Sequence, residues 1–362
     1  MLFKNFWYVL AESADVGSRP LQVRALGQDL VLFRRSSDGQ VTVLSDVCVH
    51  RRASLSGGTV EGDCLRCPYH GWAFAPDGTC THIPAHPAGV PIPTRARVAS
   101  YPVEERYGWI WAFLGDLPPE ERPPIPSFPE LEVPGWRAVR GAFTWKAPYT
   151  RVVENAVDVA HTPFLHRMSF GNPDNPVMPP FEVTVKPYTV ETTVVLESPR
   201  PRGISRWVMG GASTHTVHLA VHLPNVTVLE TTFAGGWRMR LLLSNLPVDD
   251  RTTLTRYIQL RTFLRTPLMD GFARAFTRSI LLEDRPTVEA QHPSPHPWPV
   301  DGDVSIRADA LTLAYRRLLG RSGATGGLPD GPGGTPSPPE DTVPRTFARD
   351  ATESSQGRFL AP

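Results

Sequence analysis

The chain has 362 residues, 41% of them hydrophobic, which is enough to bury a core and excludes wholesale disorder; the length suggests about two domains, three at most. Lys plus Arg total 37 against 36 Asp plus Glu, so no excess of charge points to a nucleic-acid partner. Proline is the outlier at 39 residues, about twice the usual share, and four cysteines in a chain this long do not make a disulfide scaffold.

The opening MLFKNFWYVLAES has too short an apolar run for a signal peptide, and no segment reaches membrane-spanning length, so the expected location is the cytoplasm. Short runs rich in β-branched and apolar residues follow at 30–34, 41–44 and 109–113, with turn signals at 37–39 and 77–78. They describe a small all-β domain over residues 1–116. Residues 117–135, LPPEERPPIPSFPELEVPG, hold seven prolines in nineteen positions and predict an extended linker or wrapping loop. Longer strand-like runs then appear at 182–196, 214–223, 226–233, 237–245 and 252–263. Helical patterns lie near 150–161 and 267–291, and a third at 307–319 closes the fold. Residues 136–320 therefore read as α+β, a broad antiparallel sheet with a few helices against it. From Arg321 to Pro362, 14 of 42 residues are Gly or Pro and no apolar period survives, so this tail is expected to be disordered.

Two constellations carry chemistry. The first reads Cys48-Val-His50-Arg and, fifteen positions later, Cys67-Pro-Tyr-His70-Gly-Trp. Each half is a short loop with one thiolate and one imidazole, held tight by Pro68 and Gly71. In a Rieske [2Fe–2S] centre, two cysteines hold one iron and two histidines the other. Tetrahedral zinc is the rival for a Cys2His2 set. Zinc fingers usually pair Cys with Cys and His with His, whereas each pair here mixes the two, which favours the cluster. Cys64 and Cys80 are then spare and expected as reduced thiols.

The second constellation lies in TRVVENAVDVAHTPFLH, residues 150–166. On one helix Glu154, Asp158 and His161 fall four and three apart and share a face. His166 would rotate off that face, but Pro163 should end or kink the helix and let it swing back. Two histidines and one carboxylate make the facial triad of non-heme Fe(II) oxygenases, with positions left open for O2. The bland alternative is a capped helix end with solvated acids. The carboxylate must come from elsewhere. In residues 270–291, Phe272, Phe276 and Ile280 share a helical face, followed by Glu283 and Asp284. Helical phase does not decide between the two acids, and Glu283 follows the stripe slightly better; both could instead be exposed acids ahead of Pro286.

With these motifs the chain resembles the α subunits of Rieske non-heme iron oxygenases, in particular the group around vanillate O-demethylase, dicamba monooxygenase and pheophorbide a oxygenase-like proteins. The resemblance covers roughly residues 3–319 and rests on CxHR…CPYHGW with ENxxDxxHxxxxH. It implies an N-terminal Rieske domain, a helix-grip catalytic domain with a cavity, and a mononuclear iron held by His161, His166 and Asp284, choosing Asp284 over Glu283. It implies a homotrimer in which Asp158 hydrogen-bonds His161 within its subunit and His70 of the next, carrying electrons between the two metal centres. Asn155 matches a position near the iron, and Glu154 reads as structural or as an outer hydrogen-bond acceptor.

The expected activity is that of an O2-dependent monooxygenase or dioxygenase that hydroxylates or oxidatively demethylates a ring-containing, fairly hydrophobic small molecule. No flavin- or nucleotide-binding signature is present, so a separate NAD(P)H-dependent reductase or ferredoxin must supply electrons. Arg51, Arg52 and Arg66 are candidates to meet that donor or ordinary surface charges. A Rieske electron carrier and a ligand-binding helix-grip protein without oxygenase activity are the other classes, and a complete candidate triad weighs against both. Among the remaining histidines, His82 and His86 are expected at the surface, and His292 and His296 in a proline-broken loop. Alternation in THTVHLAVHL places His215, His218 and His222 on a strand. Trp207, Trp237, Arg238 and Arg240 either line a pocket or cover the sheet.

Overall fold

The computed structural model describes residues 2–167, 169–197, 214–233, 235–294 and 302–325. Near the N-terminus, strand Phe6–Glu12 pairs with Trp109–Leu114, which also pairs with Val103–Arg106. Every residue of Trp109–Leu114 is buried. Ile110, Ala112 and Leu114 face one apolar core, while Trp109 and Trp111 pack with Val226, Val228 and Leu242 of the large sheet in the second half of the chain. A strand covered on both sides needs a continuous apolar run, and WIWAFL is one. Leu21–Ala25, Gln28–Arg34, Val41–Ser45 and Ser100–Tyr101 form a second sheet; Thr59–Glu61, Cys64–Arg66, Ala73–Phe74 and Cys80–His82 form a third.

The proline-rich stretch is a wrap anchored at both sides. Trp7 Nε1 donates to the Pro123 carbonyl at 2.9 Å, and the Phe128 amide to the Tyr107 hydroxyl at 3.1 Å. Phe128 is buried with Trp109 and Trp111, and Glu130 pairs with Arg240 on the large sheet.

That sheet has seven antiparallel strands. Six run as a meander: Val183–Lys186, Thr189–Glu197, Thr214–His222, Val226–Phe233, Arg238–Pro247 and Thr253–Arg261. The run expected at 182–196 is in fact a hairpin, with Lys186 opposite Thr189 and Pro187 in its turn. The seventh strand, Arg137–Trp145, was not anticipated. It pairs with Thr253–Arg261 along its whole length, and polar residues interrupt its pattern because only Val139, Phe143 and Trp145 are buried.

The helices correct the sequence reading in two places. The helix expected over 150–161 spans Tyr149–Val157 and stops at Asp158, whose backbone is extended (φ −78°, ψ 117°). Asp158 Oδ1 accepts the Ala160 amide at 2.8 Å, the local carboxylate–backbone bond that competes with helix continuation. A short helix restarts at Thr162–Leu165 with Pro163 in its first turn, where proline is well tolerated. The break therefore belongs to Asp158 and not to Pro163, and Glu154, Asp158 and His161 do not share a helical face. The last helix, Ala310–Thr325, runs past the expected start of the tail at Arg321, with Ser322 buried and its hydroxyl on the Leu318 carbonyl at 3.0 Å. The rest of the expected tail, from residue 326, lies outside the described residues, as do His296 and Trp207.

Glu154 turns away from the second constellation. It makes a two-pronged ion pair with Arg316 at 2.7 and 2.8 Å and ties Tyr149–Val157 to the last helix, as its structural reading required. The long helix, Asp270–Glu289, packs along Arg137–Trp145 and against Tyr149–Val157. At its start Asp270 receives Arg137 and Arg261, each at 2.6 Å. No described helix is long and apolar enough to cross a membrane.

Candidate metal sites and the cavity between sheet and helix

Cys48 and Cys67 open two matching turns. The Arg52 amide returns to the Cys48 carbonyl at 2.8 Å, and the Gly71 amide to the Cys67 carbonyl at 3.1 Å. Both turns close on a left-handed residue, with φ 60° at Arg52 and 69° at Gly71. Gly71 meets the need without strain, and a Cβ there would press on Pro84 at 3.0 Å. The thiols are buried, whereas His70 is exposed at the tip and His50 half-buried. The two imidazole rings meet edge to face at 4.4 Å, and His50 stacks on Trp72 at 4.5 Å.

This donor set fits an iron–sulfur cluster. Burial pushes the Cys48 thiol above its ordinary value, and the adjoining Cys67 thiol adds to this, while the backbone amides of His50 and Arg51 pull it down. Amides directed at a sulfur are what a cluster-holding thiolate uses. His50 Nδ1 is buried and makes no hydrogen bond among the described residues. Cys64 and Cys80 form no disulfide and rest near Thr81 Oγ1 and the His82 carbonyl. Arg66 is engaged with Glu61 at 2.6 Å, which leaves Arg51 and Arg52 exposed beside the histidines.

The second set also converges. His161 Nε2 lies 3.2 Å from His166 Nε2, and Asp284 Oδ1 lies 3.5 Å and 3.3 Å from these two atoms. Three donors about 2.1 Å from one ion, at angles of about 90–110°, would stand about 3.0–3.4 Å apart. Asp284 Oδ1 is buried and accepts no hydrogen bond among the described residues, so three electron-rich atoms face a common point that a cation would satisfy. Burial raises the Asp284 carboxyl above its usual range, against the pull of both histidines and of a hydrogen bond from Asn155. Burial disfavours charge on His161, but Asp158 and Asp284 outweigh it and raise that imidazole. Asp158 Oδ2 stops 3.6 Å from His161 Nδ1, so the expected hydrogen bond within the subunit is not closed; the other carboxylate oxygen is held by the Ala160 amide.

Glu283 and Asp284 both serve this site, from different sides. The buried stripe of the long helix is Ala273, Thr277, Leu281, Asp284 and Val288. It is offset from the Phe272–Phe276–Ile280 stripe, whose residues line the cavity, and so it selects Asp284. Glu283 Oε2 instead bonds His166 Nδ1 at 2.7 Å, and Ser169 Oγ donates to Glu283 Oε1 at 2.5 Å. The His166 ring lies against Phe170 at 4.7 Å. The chain after His166 folds back so closely that a Cβ on Gly171 would stand 2.2 Å from the Thr162 carbonyl oxygen. Residue type and spacing do not reveal Ser169 or Gly171, because both act through a turn that forms only when His166 is in place.

The convergent atoms lie on the wall of a cavity of about 690 Å³ between the large sheet and the long helix, within the usual range for small-molecule sites. Leucines from the sheet (Leu219, Leu229, Leu241, Leu243) and phenylalanines from the helix make it largely apolar, and Asn155, Asp158 and His215 also line it. His222 bonds Thr189 Oγ1 at 2.9 Å, and burial lowers its pKa to about 4. Trp237 stacks on Phe263, while Arg238 and Arg240 pair with Glu230, so these three cover the sheet.

A β domain with a Cys2His2 tip, joined to a helix-gripping sheet whose cavity carries two histidines and a carboxylate, defines the oxygenase component of an iron-dependent enzyme. Family models agree: residues 6–102 match the Rieske [2Fe-2S] domain, and residues 145–324 match the vanillate O-demethylase oxygenase C-terminal domain. Methylxanthine N1-demethylase of Pseudomonas putida is 31% identical over 327 residues, 87% of this chain and 88% of that one. The structure of Pseudomonas putida CBB5 NdmA with caffeine superposes with a TM-score of 0.75 at 28% identity, covering 88% of this chain and 91% of that one. Dicamba monooxygenase bound to 3,6-dichlorosalicylic acid gives a TM-score of 0.76 at 25% identity, covering 89% and 98%. The chain belongs to the Rieske oxygenase family. It is an O2-dependent oxidoreductase whose cofactors are a Rieske [2Fe–2S] cluster and a mononuclear iron; such enzymes act on small molecules with electrons from a separate reductase.

Proposed function

We propose that this oxygenase hydroxylates or oxidatively demethylates a ring-containing, mostly apolar small molecule in the cavity. In this reading Cys48 and Cys67 hold one iron of the cluster, His50 and His70 the other, and His161, His166 and Asp284 hold the mononuclear Fe(II). The observation that carries it is the convergence of the three donors of the second set, two of them buried and all within 4.8 Å of one another, on the wall of a cavity large enough for a substrate. Bound Fe(II) supplies the redox-active centre, with open positions, that O2 chemistry requires.

The chain's own residues prepare that centre. Glu283 accepts the Nδ1 proton of His166, which leaves Nε2 as the lone-pair nitrogen on the metal side. Asn155 steadies Asp284. The leucines and phenylalanines exclude water and hold a flat ring beside the three donors. Asp158 sits beside His161 with its carboxylate 34% exposed, and His70 is exposed on its own tip. Both can meet a neighbouring chain, which supports a homotrimer with electron transfer from the cluster of one subunit to the iron of the next. The exposed Arg51 and Arg52 support docking of an acidic, NAD(P)H-dependent reductase or ferredoxin. Cys64 and Cys80, which hold no iron in this reading and form no disulfide, suit the reducing cytoplasm.

Iron and acid-labile sulfide per chain, measured on anaerobically purified protein, test this reading. Two cluster irons plus one mononuclear iron should give three irons with two sulfides. His161→Ala should lower this to two irons with two sulfides. A wild-type ratio of two to two that Fe(II) does not change would turn the assignment toward an electron carrier.

A further inference from the structure

Strand Thr253–Arg261 sends three polar side chains to the cavity wall, Thr255, Gln259 and Arg261. Thr255 is satisfied within the protein, donating to Asn245 at 2.7 Å and receiving Trp145 Nε1 at 2.9 Å. The other two are not. Gln259 is 3% exposed; its amide nitrogen meets only the Met239 sulfur, a weak acceptor, and its Oε1 has no partner among the described residues. Arg261 is 2% exposed, with Nε on the Leu264 carbonyl at 3.2 Å and Nη2 on Asp270 at 2.6 Å, while Nη1 has no partner among the described residues. Buried polar groups are normally satisfied, so the unpartnered Arg261 Nη1 donor and, two residues away on the same strand face, the Gln259 amide nitrogen held only by sulfur mark a place where an acceptor on a ligand completes the bonding.

Charge gives the sign of that ligand. Asp270 is the acid that answers Arg261, and it is shared with Arg137 at 2.6 Å. Bonds from Arg137 and then Arg261 hold Asp270 well below the usual carboxylate range, so it stays ionised. Two guanidinium groups face one carboxylate, which leaves one positive charge over at this end. Length follows from the helix. Asp270 and Asp284 are fourteen residues apart on Asp270–Glu289, about 21 Å of axial rise. Allowing about 10 Å for side-chain reach, the Arg261 guanidinium stands at least about 10 Å from the metal-facing carboxylate.

We propose that Arg261, assisted by Gln259, anchors a carboxylate at the end of the substrate remote from the reacting carbon, so that the enzyme selects elongated, two-ring-length aromatic acids. This rests on the oxygenase reading of the cavity.

The test is calorimetric binding to the metal-loaded, full-length protein under anaerobic conditions without an electron donor. The probes are biphenyl-4-carboxylate, biphenyl-4-carboxamide and benzoate. Biphenyl-4-carboxylate should bind at least about tenfold tighter than the carboxamide, and about tenfold tighter than benzoate, which is too short to fill the cavity. Arg261→Gln should abolish the preference for carboxylate. Gln259→Leu, which leaves both Asp270 ion pairs in place, should weaken the carboxylate about threefold without affecting the carboxamide. Arg137→Gln, which removes the other partner of Asp270, should keep the preference. Equal binding of the two biphenyl probes, binding of neither, or loss of the preference in Arg137→Gln as complete as in Arg261→Gln would overturn the anchor. A carboxylate preference in protein that holds no mononuclear iron would keep the anchor and defeat the oxygenase reading instead.

Discussion

Glu283 Oε2 lies 2.7 Å from His166 Nδ1, while the residue next to it, Asp284, faces Nε2 of the same ring at 3.3 Å. Successive residues on a helix point about 100° apart, so one helical step grips an imidazole from two sides. Carboxylates behind ligating histidines fix tautomer and orientation. Glu283→Ala should therefore lower Fe(II) affinity of cluster-loaded protein about 10- to 100-fold, with cluster absorbance unchanged. Glu283→Gln keeps an acceptor and should recover much of the loss. Fe(II) titration decides; wild-type affinity in the alanine variant would remove the role.

Among the described residues the Asp158 side chain holds one backbone amide, that of Ala160, which asparagine can also serve through its side-chain oxygen. Asp158→Asn should keep the fold and both metal contents yet reduce turnover about 100-fold or more, since the link proposed between His70 of one subunit and His161 of the next loses its charge. Turnover with a surrogate reductase reads this directly, and an unimpaired rate would show that electrons take another route.

Gly171→Ala places a methyl 2.2 Å from the Thr162 carbonyl oxygen, a backbone atom that cannot step aside. The turn behind His166 must open, at a cost of about 1–3 kcal/mol. A melting temperature several degrees lower, together with weaker mononuclear iron binding, is the expected pair of results. A fully stable variant with normal iron content would mean that the turn relaxes freely.

His222 supplies a pH dependence away from the metals. Burial lowers its pKa to about 4, chiefly through lost hydration, whereas an unfolded histidine titrates near 6.5. The unfolded chain therefore binds the extra proton between these values. Its contribution is complete above about pH 6.5 and declines as pH falls toward about 4, by up to about 3 kcal/mol. Denaturant midpoints measured across that window should fall less steeply in His222→Gln than in the wild type, and parallel curves would contradict the assignment.

Where motif spacing is local, the sequence was legible. The two Cys–His loops appear where residue type placed them, because each is a five-residue turn closed by its own backbone. The meander was readable from its β-branched runs, but Arg137–Trp145 was not, since its pairing partner lies more than a hundred residues away and only part of it is buried. The break at Asp158 was attributed to proline because proline is the usual breaker; the carboxylate bond to Ala160 took that part instead. Helical phase counted from Phe272, Phe276 and Ile280 leaned toward Glu283. Those side chains line the cavity from one edge of the helix, while its fully buried stripe runs through Ala273, Thr277 and Leu281 to Asp284, which reaches the cavity wall as well.

The helix Asp270–Glu289 bears on both ends of the cavity, through the Asp270 that braces Arg261 and the Asp284 that faces the histidines. The separation between holding a substrate and attacking it is thus set by a count of helical residues, as on a ruler. Exchanging side chains along the rod would alter its shape preference, but only a gain or loss of whole turns, in steps of about 5.4 Å, would change the length of molecule it measures.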